Sequence, residues 1–344
     1  MKNSLRNSKC RAINFFKKLI CFLLFGMIVL PLSSQEVHFS MYNTSPLLVN
    51  PANTGNFDGS WRLTGNYRNQ WSALSTPFST FSAGFDKGFF LLNQDFAAGV
   101  YALYDETGSL GISYTKIYAS LNYTLHFLAN QVRLGVQVGY ATGGPGSGQT
   151  SPDQWNPATG QFDPTLPTGE IALEKASYPD INAGGIWRRS FGKFTPELGF
   201  ALSHLNRPNY SFFGANEKLG LKQTFHASIR TDLNDQVFVV PSFYYFGSTS
   251  ATETLIGSRA GYNLMGNQTR VKNIFAGAFL RNGLASNFDA LALQAGATVG
   301  RLEMAVNYDI NISALHARGA FEISFIYKGI YTVLNSYSIP CERL

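Results

Sequence analysis

Cysteine is nearly missing from this chain of 344 residues, present only as Cys10, Cys21 and Cys341. Two of the three lie in a leader. Lys2, Arg6, Lys9, Arg11, Lys17 and Lys18 precede the uncharged "LICFLLFGMIVLPL", and "SSQ" offers small residues for cleavage near Ser34. This reads as a secretory signal peptide over 1–34. The mature chain then keeps Cys341 alone, which excludes an internal disulfide. After the leader there is no helical periodicity of useful length and no second run of about 18 apolar residues, which excludes a membrane helix. Charge is scarce, at 14% Asp, Glu, Lys and Arg against a usual value of about 25%. The net charge of +6 also vanishes with the leader, which holds six Lys or Arg and no Asp or Glu. The basic pI of about 9.1 therefore gives no ground for a nucleic-acid or acidic-lipid partner.

What is abundant is alternation. In "KIYASLNYTLHF", residues 116–127, Ile117, Ala119, Leu121, Tyr123, Leu125 and Phe127 alternate with Lys116, Tyr118, Ser120, Asn122, Thr124 and His126. A period of two means a strand with one apolar and one polar face. The same pattern recurs in "WRLTGNYRNQW", "VRLGVQVGY", "RLEMAVNYDI" and "GAFEISFIYKG". Fourteen such segments are predicted, near residues 60, 78, 96, 111, 132, 179, 194, 221, 236, 252, 272, 288, 301 and 317. An even number suits an all-β, up-and-down antiparallel transmembrane barrel with both termini on one side.

The connections agree in part with this reading. Outer-membrane barrels alternate short periplasmic turns with longer external loops. Connections four, six, eight and twelve are short ("LANQ", "RSFGK", "LNDQ", "VGR"), and the two longest, the fifth and the seventh, fall on the other side. Connections two and ten, around "KGFFLLNQD" and "LMGNQTRV", look longer than the rule asks. A soluble sandwich also has two-faced strands. Against it stand the length of the segments, the 14% aromatic content, and the aromatics Trp61, Trp71, Tyr140, Trp187 and Tyr327 at segment ends, where interfacial girdles belong. The apolar faces are thus expected to meet lipid, and the polar faces, with Arg62, Arg68, Lys116, Arg133 and Glu322, the lumen. The expected division is 35–58 as a periplasmic or lumen-contacting segment, 59–328 as barrel and 329–344 as a periplasmic tail.

Chemistry is thinly signalled. "GGPGSGQT", Gly143–Thr150, carries Gln149 where a P-loop needs lysine. The five histidines, His38, His126, His204, His226 and His316, show no metal-ligand spacing. No nucleophile elbow marks a serine, including Ser203 beside His204. The expectation is a non-enzyme with no catalytic residues, no metal and no cofactor. The long outer loops carry Trp155, Phe162, Tyr210, Phe212 and Phe213. Exposed aromatics there would mark a partner-binding face; folded inward, they would constrict the lumen instead.

Ahead of the first strand comes "QEVHFSMYNTSPLLVNPANTG", residues 35–55, followed by "YRNQW" at Tyr67–Trp71. These stretches, with "HLNRPNYSF", "YDINISAL", "GAFEISFIY" and the tail "IPCERL", resemble the PorP/SprF family of type IX secretion system outer-membrane proteins. Family tails more often read Cys-Pro-Arg-Phe, from which Glu342 and Leu344 depart. The resemblance implies an outer-membrane barrel that docks a secreted cargo or adhesin bearing a type IX C-terminal signal domain. It also implies other type IX components as partners, and in some bacteria a link to gliding. The motif positions are Phe39, Ser40, Tyr42, Pro46, Leu47, Asn50, Pro51, Ala52, Gly55, Tyr67, Arg68, Gln70 and Trp71. The proline-rich segment is expected at the periplasmic mouth or in the lumen, with Asn66 and Arg68 binding its carbonyls. The alternative is a passive or ligand-selective channel.

Overall fold

The computed structural model describes residues 38–70, 78–92, 94–107, 112–144, 154–157, 159–163, 165–166, 175–210, 218–249, 251–264, 270–283, 287–312 and 319–330. The expected leader, Trp71, Phe212, Phe213 and Cys341 lie outside these residues. The chain runs through β1 (Trp61–Gln70), β2 (Phe78–Leu91), β3 (Gln94–Thr107), β4 (Ile112–Phe127) and β5 (Asn130–Gly144). A small hairpin, β6 (Trp155–Asn156) with β7 (Gln161–Phe162), interrupts the next connection. Then come β8 (Ala176–Arg189), β9 (Phe194–Ser203), β10 (Lys222–Asp232), β11 (Val237–Gly247) and β12 (Thr252–Asn263). The last four are β13 (Val271–Gly283), β14 (Asn287–Val299), β15 (Leu302–Asn311) and β16 (Ala320–Gly329). All but β6 and β7 form one closed barrel of fourteen antiparallel strands, sealed where β1 pairs with β16. Closure leaves no strand edge unpaired, the condition for backbone in hydrocarbon.

The faces divide as the alternation predicts. On β4, Ile117, Ala119, Leu121, Leu125 and Phe127 are exposed outward, whereas Tyr118, Ser120, Asn122 and Thr124 are buried inward. Arg62, Arg68 and Glu322 are likewise buried inside. The interior is not uniformly polar, however. Tyr101, Leu103, Tyr244, Phe246, Leu255, Phe275 and Phe279 also point inward and are buried, because they have something apolar to pack against.

Trp61 and Gly329 are register partners, so the start of β1 and the end of β16 share one rim. The connections at that rim are residues 92–93, 128–129, 190–193, 233–236, 264–270 and 300–301. Connection two is thus a two-residue turn, not the longer one expected. Its length was misread because β2 continues through Phe89, Phe90 and Leu91 to a turn at Leu92 (φ 51°) with no Gly or Pro to mark it. Connection ten, 264–270, stays long. The opposite rim carries residues 145–175 and 204–221. By the outer-membrane rule, the rim where β1 begins and β16 ends, which also carries most of the short turns, is periplasmic and the other is external. Trp61 packs on Phe85 and Tyr327 at 6.0 and 5.4 Å between ring centroids, an interfacial aromatic group at the periplasmic rim.

A plug held in the lumen as the candidate functional site

Residues 38–56 fill the barrel. Pro46 starts a single helical turn, α1 (Pro46–Val49), between 3-10 turns at Tyr42–Thr44 and Pro51–Asn53. Proline suits the first position of the latter two, at Pro46 and Pro51, because its φ is already set and its missing N–H would have no partner there. The Asn50 side chain accepts the Ala52 N–H at 2.9 Å and so caps the second 3-10 turn. Leu47, Asn50, Ala52 and Thr54 are at most 1% exposed. A surface segment of this composition would be solvated; this one is enclosed.

At the external half the plug meets a buried ion cluster. The two Glu322 carboxylate oxygens accept the backbone N–H groups of Ser40 and Met41, at 2.7 and 2.9 Å. The Ser40 hydroxyl donates to Asp309 at 2.6 Å. Arg68 donates to Ser40 at 2.9 Å, to Asp309 at 3.3 Å and to Glu322. Arg281 donates to Asp309 at 2.8 Å and reaches Asp289 at 3.2 Å. Arg68 and Glu322 are register partners on β1 and β16, so the plug is tied to both sides of the closing seam. His38 Nε2, at the head of the described segment, lies 2.7 Å from Glu253 near the start of β12.

In the middle, polar side chains of the wall pair with the plug backbone, because short turns leave carbonyls that need partners once they are enclosed. Asn66 donates to the Thr44 carbonyl at 3.3 Å and accepts from the Thr44 hydroxyl at 2.6 Å. Gln137 donates to the Leu47 carbonyl at 3.2 Å and Asn122 to the Ala52 carbonyl at 3.1 Å. In the other direction, Asn50 donates to the backbone carbonyls of Gly185 and Phe200 at 3.2 and 3.3 Å. Gly184 makes room for the Asn50 side chain and Gly135 for the chain that follows, since a Cβ at Gly135 would strike the backbone of Pro51 and Ala52. Apolar contacts flank the polar ones. Phe39 and Leu47 pack on Tyr101, Leu103 and Tyr118, Val49 joins Leu255 and Phe279, and Met41 joins Phe238 and Phe275. The Tyr42 ring stacks on Tyr244 at 4.6 Å.

At the periplasmic half Arg62 clamps the end of the plug. It pairs with Asp86 through two hydrogen bonds of 2.9 and 2.8 Å and donates to the Asn53 carbonyl at 2.9 Å. The Gly55 N–H donates to Asp86 at 2.7 Å, and Gly55 itself takes a φ of 74° that favours glycine. Asn56 donates to Glu197 at 3.1 Å. The plug therefore runs from the external half down to the periplasmic rim and turns there into β1.

Of the motif positions, Phe39, Ser40, Tyr42, Pro46, Leu47, Asn50, Pro51, Ala52 and Gly55 come together in the plug, and Arg68 holds it. Tyr67 points the other way, its ring 4.6 Å from Phe81 on the lipid-facing wall. Gln70 accepts from Arg68 at 3.2 Å. The expected carbonyl ligands are half corrected: Asn66 does bind a plug carbonyl, whereas Arg68 binds carboxylates and the Ser40 hydroxyl, and Arg62 takes the carbonyls. Arg68 faces two carboxylates across the seam, which attract a guanidinium more strongly than a carbonyl does. Sequence reasoning did not single out Asp86, Asn122, Gln137, Arg281 or Asp309 for the plug; their one signal was a polar side chain in the inward phase of a strand.

The loop aromatics part company. Trp155 is exposed on β6 opposite Phe162 on β7. The Asp163 N–H closes the hairpin on the Gln154 carbonyl at 2.8 Å, and its carboxylate accepts from the Thr165 hydroxyl and N–H at 2.6 and 2.9 Å, bonds that hold the carboxyl below the usual range. Tyr210 does not offer an open face. It packs on Tyr114 and Tyr178 at 6.0 and 5.5 Å, and burial pushes its phenol well up.

Among solved structures the barrel is similar to a deletion mutant of TodX, described as a monoaromatic hydrocarbon channel. The identity is 11%, with 84% of this chain and 94% of that chain covered and a TM-score of 0.51. It is also similar to the Ralstonia pickettii toluene transporter TbuX (10% identity, 83% and 94% covered, TM-score 0.49). The Pseudomonas putida toluene transporter TodX matches at 10% identity, with 86% and 94% covered and a TM-score of 0.47. At such identities the likeness is one of fold. No curated protein matches. Residues 32–327 match the family model for the type IX secretion system membrane protein PorP/SprF, a span that takes in the plug and nearly the whole barrel, and the chain therefore belongs to that family of outer-membrane barrels.

Proposed function

We propose that this protein is a non-catalytic docking receptor of the type IX secretion route, holding a secreted cargo or adhesin at the cell surface through the cargo's C-terminal signal domain, in some settings for gliding. The observation that carries the reading is the plug. A lumen occupied along the axis by residues 38–56 suits a barrel that presents a surface better than one that conducts. The long external connections then supply the docking face, with Trp155 on its hairpin as the exposed aromatic. The partners follow from this role: the cargo domain, other type IX components and outer-membrane lipid, with no nucleic acid.

A second reading, a ligand-selective channel, draws support from a cavity of about 240 Å³ beside the plug, lined by Tyr42, Arg62, Arg188, Glu197, His226 and Arg259. Removing the gene separates the two. Loss of one protein from the cell surface with small-solute uptake unchanged supports docking. Unchanged surface proteins with reduced uptake of one solute class supports the channel.

A further inference from the structure

The lipid-facing wall of β2–β5 is not smooth. Ala98 on β3 and Ala119 on β4 are small residues among large ones, and a cleft of about 600 Å³ opens over them, in the size range of ligand sites. Phe85, Phe89, Val100, Leu121, Val136 and Val138 wall it. Register explains the shape: Val100 lies opposite Ala119, Ala98 opposite Leu121, and Leu121 opposite Val136. Large side chains therefore ring a floor of two methyl groups.

Among the described residues lining the cleft, Lys87 is the one that carries charge. It pairs in register with Ala98 on one side and with Trp61 on the other. Trp61 belongs to the aromatic group at the periplasmic rim, so Lys87 stands at that level of the wall, with Phe89 on its periplasmic side and most of the cleft on the other. Phe85 and Phe89 flank Lys87 on the outward face of β2. A cation in such a setting is stabilised by an anion at the interface. Lys193, Arg270, Lys272 and Arg301 are exposed at the same rim, with Asp58, Asp95 and Asp235 as exposed acids there, Asp95 paired with His126 at 2.9 Å.

We infer that this cleft seats one anionic phospholipid of the inner leaflet, an acyl chain lying over Ala98 and Ala119 and the phosphate beside Lys87. An occupant apolar along its length and negative at one end matches both the apolar floor and the basic rim. A second copy of this wall would bring another Lys87 and no anion.

The mature protein in detergent micelles, mixed with phosphatidylglycerol or with phosphatidylcholine of the same chains, tests the assignment by native mass spectrometry. The wild type is expected to retain one lipid and to prefer phosphatidylglycerol. Ala119→Phe fills the cleft and should lose the bound lipid of either kind. Lys87→Gln should keep chain binding but lower the preference for phosphatidylglycerol by roughly fivefold, the worth of about one lysine at an anionic surface. A heat-shifted gel confirms that each variant is folded; should Ala119→Phe fail, Ala98→Leu fills the same floor. Equal lipid retention by wild type and filled variant, an unchanged preference in Lys87→Gln, or retention of a second copy in place of lipid overturns the inference.

Discussion

Glu322 shows what one residue does here. It is fully buried, takes two plug N–H groups and faces Arg68 across the seam. Replacing it with leucine leaves Arg68 dependent on Asp309, which Arg281 already engages. A buried pair broken on one side costs about 3–5 kcal/mol. Glu322→Leu should therefore lower the temperature at which the folded band is lost on heat-shifted gels. Adding Arg68→Met removes the stranded cation and should recover part of that loss, but not all, because the Ser40 and Met41 N–H groups stay unpaired at about 1–3 kcal/mol each. Equal melting of the single and double variants would show that the stranded Arg68 charge costs nothing. At this scale the sequence was legible only in phase. Alternation put Arg62, Arg68 and Glu322 inside, but a residue's partner across 254 positions of chain leaves no local mark, and Arg68 was accordingly given the wrong ligand.

At the scale of the strand, β4 separates lipid from lumen one residue at a time. Leu121 is 57% exposed on the outer wall and Asn122 is 2% exposed within. An arginine facing mid-bilayer costs about 2–4 kcal/mol, so Leu121→Arg should reduce the heat-modifiable fraction recovered in membranes. Asn122→Arg is not expected to be silent. It removes the donor to the Ala52 carbonyl and crowds the plug, so the barrel should insert while residues 38–56 become open to protease. Gly135→Leu should act in the same way, through its collision with Pro51 and Ala52. Plug proteolysis unchanged in both variants would refute the packing described for this segment. All fourteen strands could be read from alternation because lipid and lumen impose opposite demands at most steps, the exceptions being inward apolar residues such as Leu103 and Leu255 that meet the plug. The plug obeys no such rule. Its Pro and Asn content announced irregular backbone, yet mouth and lumen both remained open, since short turns are defined by the carbonyls they satisfy elsewhere. The same absence of period left Trp155 and Tyr210 alike in the sequence, although one is exposed and the other packs on Tyr114 and Tyr178.

For the whole molecule the question is what the plug does for a barrel of this size. Fourteen strands enclose more space than their own inward side chains fill, as smaller barrels do not, and here residues 38–56 take up the difference with Leu47, Val49 and Met41 in contact with wall residues on several sides. The plug is bonded to strands that include β1, β2, β4, β5, β8, β9, β13, β15 and β16, and it reaches the closing seam at Arg68 and Glu322. Deleting residues 36–55 should then do two separable things. The lumen should open, so that the deleted protein conducts ions in a planar bilayer where the intact protein does not. The barrel should also unfold at a lower temperature, because Arg68, Glu322, Asn66, Asn122 and Gln137 lose partners while remaining inside, though entering water will soften that loss. Conductance is the sharper of the two. If intact and deleted proteins conduct alike, the segment does not seal the lumen, and the argument that a filled barrel serves as a docking surface loses its support. If the deleted protein conducts but still keeps its cargo at the cell surface, sealing and docking are independent, and the external loops alone carry the partner.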